Sequence, residues 1–113
     1  MPRFAPLSPA PHYAVIFASQ RRGEDAGYAA MAERMAALAE TRPGFLGIDS
    51  ARDAEGFGLT VSYWSDEAAL LEWKQEARHL LAQKLGRERW YEHYTLRVVR
   101  VERGYEGPDG RAD

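Results

Sequence analysis

Residues His12 to Ser19 read HYAVIFAS, a strand with apolar side chains on both of its faces. Tyr13, Val15 and Phe17 fall on one side of the pleat and Ala14, Ile16 and Ala18 on the other, because successive strand side chains point in opposite directions. A strand apolar on both sides has to be covered on both. A chain of 113 residues has little to spare for two covers. A domain of this size buries only about 65% of the surface its unfolded chain exposes. A second copy of the chain is the simplest second cover, so the strand predicts a homodimer.

The rest of the chain says what the first cover is. Residues 1–11 hold four prolines and read as a flexible, extended leader that cannot donate a regular hydrogen-bond ladder. A helix is expected from about Asp25, a good N-cap, to Thr41, with Tyr28, Met31, Met35 and Leu38 as its buried stripe and Arg42-Pro43-Gly44 as its stop. Phe45 to Arg52 and Phe57 to Trp64 read as strands joined by an Asp53-Ala54-Glu55-Gly56 hairpin loop. The second of these has Phe57, Leu59, Val61 and Tyr63 on one face, Thr60 and Ser62 on the other. A second helix is expected from Ser65-Asp66, with Leu70, Trp73, Ala77, Leu80 and Leu81 inward and Gly86 at its end. Arg87 to Glu92 suit a short extra turn, His93 to Arg103 a last strand, and residues 104–113 a mobile tail. The order β-α-β-β-α-β predicts an α+β, ferredoxin-like domain over residues 12–103, an antiparallel sheet with two helices on one face.

Composition removes several classes of function. The net charge of -2 and pI near 5.9 lack the clustered Lys and Arg excess that nucleic acid requires. Arg87, Arg89, Arg97, Arg100 and Arg103 are interleaved with Glu88, Glu92 and Glu102, which cancels most of their field. Without cysteine there is no disulfide, thiolate or Cys-based metal site. No run approaches the ~20 apolar residues of a membrane span, and the prolines of the leader interrupt any signal-peptide core. A cytoplasmic protein without membrane or nucleic-acid partners is the resulting expectation. His12, His79 and His93 lie on different elements without metal-ligand spacing, so no dedicated metal site is predicted. Nucleophile-elbow, dinucleotide and P-loop signatures are all missing.

Aromatic residues carry the positive signal. Trp64, Trp73 and Trp90 gather in the second half with Tyr63, Tyr91 and Tyr94. Trp73 sits in the middle of the second helix's apolar stripe, which suits either plain core or an indole N–H aimed into a pocket between helix and sheet. His79 falls about 120° around an ideal helix from Trp73, on the side of Glu76, where a solvated imidazole is the simpler reading. A role in a pocket needs the helix to bend near Arg78. Arg89, within Gly86-Arg-Glu-Arg-Trp-Tyr, is either part of a structural turn or a cation for an anionic or phenolate substrate.

Taken together, Ser19-Gln20-Arg21, Arg42-Pro43-Gly44-Phe45, Tyr63-Trp64, Trp73-Lys74 and His79 resemble the antibiotic biosynthesis monooxygenase domains over about residues 12 to 103. The resemblance implies a dimeric α+β barrel with a pocket in each subunit between sheet and helices. It implies a cofactor-independent monooxygenase of small aromatic or quinol-type substrates, with Trp73 and His79 as catalytic residues and Trp64, Tyr63 and Arg89 as substrate-binding ones. His79 would then transfer the proton, since an imidazole titrates near neutral pH. Some relatives instead break down haem, using a helix His and an Asn. This chain has Gln83 where that His is expected and contains no asparagine, with Ser19 or Gln20 in its place. Haem binding is thus the weakest reading. A non-catalytic dimeric domain that binds a small ligand in the same pocket is the alternative to the enzyme.

Overall fold

The computed structural model describes residues 4–21, 28–88 and 91–108, with side chains at all of these except 28–32, 79–88 and 91–92. The order is β1 (His12–Arg21), α1 (Tyr28–Glu40), β2 (Phe45–Arg52), β3 (Phe57–Trp64), α2 (Glu67–Glu88) and β4 (Tyr91–Val101). The strands form one antiparallel sheet in the order β2-β3-β1-β4. This is the ferredoxin-like α+β arrangement that the element order predicts.

Local chemistry sets most of the boundaries. The Thr41 and Arg42 amides bond back to the Leu38 and Ala39 carbonyls at 3.1 and 3.0 Å, closing α1. Gly44 follows with φ of +85°, a left-handed conformation that side chains disfavour. A Cβ there would also stand 2.6 Å from the Ala69 Cβ, so only glycine lets this corner press against α2. The hairpin loop is tied by Asp53, whose Oδ1 accepts from the Glu55 and Phe57 amides at 2.9 and 3.0 Å. Asp66 caps α2 by accepting from the Ala69 amide at 2.8 Å.

Two boundaries differ from the sequence reading. α2 continues through Gly86 to Glu88, so the expected extra turn at Arg87 and Glu88 is the helix itself. An interior glycine costs a helix only about 1 kcal/mol and does not have to end it. β4 spans Tyr91–Val101, two residues earlier at both ends than expected, because Tyr91 pairs with Arg21 across an irregularity after Gln20. The proposed N-cap Asp25 lies outside the described residues.

The register assigns the faces. Tyr13 pairs with Trp64, Val15 with Ser62 and Phe17 with Thr60, so these six share a face. Val15, Phe17, Thr60 and Ser62 lie opposite residues of both α1 and α2, so this is the helix-covered side. The apolar row Phe57, Leu59, Val61 and Tyr63 consequently lies on the helix-free side with Ala14, Ile16 and Ala18. Phe57 and Leu59 stay 47% and 45% exposed there. The buried core is Val15, Ala39, Trp64, Leu70 and Trp73, concentrated where α2 leaves β3.

The segment before β1 lies against the sheet rather than leading away from it. The Ala5 amide donates to Asp49 Oδ1 at 2.7 Å, and His12 Nδ1 lies 3.2 Å from the Pro9 carbonyl oxygen. No described helix is long and apolar enough to cross a membrane.

Candidate functional site

A cavity of about 320 Å³ opens between the helices and the sheet. Its existence follows from side-chain size. Thr60 and Ser62 are short residues of β3, and they face Ala36 and Ala39 of α1 and Ala77 of α2. Small groups on both layers leave space that larger ones would fill. The volume lies at the lower end of the range for small-molecule sites.

The floor is mixed. Val15, Phe17 and Leu96 contribute apolar surface, while Ser50 and Thr60 share a hydroxyl hydrogen bond at 3.0 Å. Met35 and Trp73 form the apolar part of the roof, and Lys74 and Arg78 bring two cations from α2. Trp73 is 8% exposed and stacks on Trp64 with ring centroids 5.9 Å apart at 24°. Trp64 is fully buried, with its indole N–H donated to Ser62 Oγ at 3.0 Å and Phe45 against it edge-on. The polar end of Trp64 is therefore consumed inside the protein. Trp73 Nε1 has no acceptor among the described residues.

At the other end of the floor lies Arg52. Its Nη2 donates to Ser19 Oγ at 2.9 Å, and its Nη1 donates to the Gly56 carbonyl. The guanidinium rests over Gly58, where a Cβ would come within 2.7 Å of Cζ. Ser19, 2% exposed, is thus a support for Arg52, whereas Gln20 points to the opposite face and donates to the Glu55 carbonyl at 2.8 Å.

The residues singled out in the sequence are distributed unevenly. Trp73 lines the cavity and Trp64 backs it. Tyr63 lies on the helix-free face, where its hydroxyl donates to Asp49 Oδ2 at 3.0 Å. Burial, and then the bond to Asp49 and its charge, hold the Tyr63 pKa above its ordinary value. His79 follows the cavity-lining Arg78 on an uninterrupted α2, with its side chain outside the described residues, and Arg89 lies outside them altogether. Sequence reasoning missed Arg52, Thr60 and Ser62. The signal was present: a strand with one fully apolar face and two hydroxyls on the other, paired to a strand ending in Arg opposite Gly58.

No three or more His, Cys, Asp or Glu gather into a metal-binding group among the described residues. The acid nearest in sequence to the cavity-lining part of α2, Glu76, is held in an ion pair with Arg42.

Comparison with known proteins gives the chain a family and a likeness of fold. The sequence profile of the antibiotic biosynthesis monooxygenase family matches residues 11–85. The chain is 48% identical over 93 residues to the uncharacterized protein YqjZ of Bacillus subtilis, covering 82% of each. Over 46 residues it is 44% identical to the jasmonate monooxygenase ABM of Pyricularia oryzae, spanning 41% of this chain and only 21% of that protein. The crystal structure of PA3566 from Pseudomonas aeruginosa superposes with a TM-score of 0.56 at 19% identity, over 83% of this chain and 95% of that one, which is a likeness of fold.

Proposed function

This chain belongs to the antibiotic biosynthesis monooxygenase family, and we propose that it oxygenates a small aromatic or quinol-type molecule in the helix–sheet cavity without a bound cofactor. The observation that carries this reading is a ligand-sized cavity with an apolar roof built around Trp73. A relative named as a jasmonate monooxygenase supports oxygenase chemistry, over the part of its length that matches.

The chemistry needs little machinery. Removing a proton from an activated carbon or phenol leaves a substrate anion that reduces oxygen directly. A methylene oxidised to a carbonyl takes one oxygen atom of O2, and the other leaves as water with the two hydrogens lost. The substrate supplies all four electrons that reduce O2, so the step balances without an external reductant. The protein's contribution is to stabilise the anion and handle the proton. Arg52, Lys74 and Arg78 supply positive charge in the cavity lining, Trp73 offers its N–H to the substrate or its oxygen adduct, and His79 accepts the proton. We place the protein in the cytosol as a homodimer whose helix-free faces meet, which would cover Phe57 and Leu59.

Oxygen uptake with a panel of hydroquinones and anthrones tests the reading. Turnover is expected from the native protein and its loss from His79→Ala. Trp73→Ala is expected to cost about 3–5 kcal/mol of stability as a large buried truncation. Trp73→Phe is expected to remain folded, and loss of uptake in that variant would assign a role to the indole N–H.

A second reading has its own support. The described cavity lining contains no His, Asp or Glu to act as a base, which favours a domain that sequesters a ligand without converting it. Tight binding with no oxygen consumption across the panel is the result expected on that reading.

A further inference from the structure

We propose that Ser62 is a ligand-binding residue of the cavity: its hydroxyl donates to an acceptor oxygen, of carbonyl or phenolate type, on the apolar body that packs against Trp73. This rests on the reading of the cavity as a ligand site, and it holds whether or not the ligand is oxygenated.

Hydrogen-bond accounting is the first argument. Ser62 lines the cavity and is 6% exposed. A serine hydroxyl has one proton to give and two lone pairs to receive. One lone pair takes the Trp64 indole N–H at 3.0 Å, and nothing among the described residues accepts the proton. An unmatched buried donor costs more than a typical hydrogen bond contributes. A ligand that enters this recess has to bring an acceptor or leave that proton unmatched. The other hydroxyls of the floor are different, since Ser50 and Thr60 bond to each other and Ser50 is exposed.

Construction is the second. Trp64 is fully buried, held edge-on by Phe45 and stacked on Trp73. Its N–H, donated into Ser62 Oγ, draws electron density from that oxygen and makes the remaining O–H a stronger donor. Ser62 itself stands on β3 with Val15 paired on one side and Ile48 on the other. A donor fixed in the middle of a sheet needs little reorganisation when its acceptor arrives.

The third is what the lining lacks. Trp73 Nε1, like the Ser62 hydroxyl, has no acceptor among the described residues, so roof and floor each offer a donor. No described lining residue carries a carboxylate to receive either one. Hydrocarbon from Val15, Met35 and Ile48 makes up much of the remaining surface. An apolar molecule with an acceptor oxygen supplies what is missing. Where that molecule gives up a proton, charge gathers on the oxygen and the bond from Ser62 becomes stronger.

Calorimetric titration of the full chain with 1-tetralone and with tetralin tests this, because the two probes share a ring system and only the ketone has an acceptor. Ser62→Ala is expected to weaken the ketone about tenfold, the loss of one hydrogen bond, and to leave the hydrocarbon within about twofold. Ser62→Thr, which keeps the hydroxyl, should retain the ketone. A Ser62→Ala variant that weakens both probes alike, or neither, overturns the proposal and leaves the hydroxyl as a partner for Trp64 alone. If Ser62→Ala does not fold, the carbonyl stretch of 1-tetralone bound to Trp73→Phe decides. A frequency below that in hydrocarbon solvent is expected there, and an unshifted one overturns the proposal. Failure of both probes to bind the native protein removes the ligand-site reading as well. The expected pattern of binding in a protein that consumes no oxygen with any phenol overturns the oxygenase and leaves this inference standing.

Discussion

Tyr63 and Asp49 form a contact whose consequence is measurable far from any ligand. The Tyr63 hydroxyl donates to one carboxylate oxygen of Asp49 and the Ala5 amide to the other. Ionising the phenol would set two negative charges against each other in a half-buried place, and its pKa is raised above the ordinary 10.0, first by burial and then by Asp49. A folded pKa above the unfolded one gives stability that is complete below about pH 10 and is lost as pH rises through the folded value. Urea midpoints are therefore expected to hold steady to about pH 9 and to fall beyond about pH 10. Tyr63→Phe should flatten that fall while lowering the plateau by about 1 kcal/mol for the lost hydrogen bond. An alkaline fall of equal size in the Phe variant would assign it to other groups. Sequence alone marked Tyr63 and Trp64 as one aromatic pair. Pairing with β1 separates them, because neighbours on a strand face opposite ways and only Trp64 turns toward the helices.

Among the elements, β2, β3 and their hairpin were legible to the residue. Asp53 and Gly56 are turn formers with a definite job, and the flanking alternation has no competing period. The end of α2 was less legible, since Gly86 is compatible with both a stop and a tolerated interior position, and packing rather than propensity chooses between them. The corner at Gly44 shows how far one residue can be asked to go. Its φ of +85° and the 2.6 Å approach a Cβ would make to Ala69 add backbone strain to overlap. Gly44→Ala is expected to cost about 1–3 kcal/mol, more than the roughly 1 kcal/mol expected when Asp66→Ala removes the α2 cap. Chemical denaturation of the two variants gives the order. An Asp66 variant worse than the Gly44 one would mean that the corner relaxes freely.

For the whole molecule, the sheet carries apolar side chains on both sides while its helices cover one. Phe57 and Leu59 are large, and nearly half of each is exposed beside Ile16 and Val61. Exposed apolar rows of this kind mark association surfaces. Under the pairing proposed above, Leu59→Glu is expected to shift the protein from dimer to monomer at micromolar concentration, read by sedimentation equilibrium. It should leave the fold intact, since the side chain touches no part of the core. A native protein that sediments as a monomer would remove the pairing. Most of the described cavity lining comes from the opposite side of the sheet, so ligand binding and association can be measured separately.

Element order, strand alternation and the doubly apolar β1 were already contained in the order of side chains, because periods of 2 and 3.6 are local properties of the backbone. So was the ferredoxin-like arrangement, which follows from that order. The cavity was not. It arises where Thr60 and Ser62 meet Ala36, Ala39 and Ala77, residues brought together from three separate elements, and part of its charge comes from Arg52, placed by Ser19 and Gly58 across two neighbouring strands. Space and charge at a point depend on side chains distant in sequence, so the pairing of strands and the packing of helices over them had to be known before either appeared.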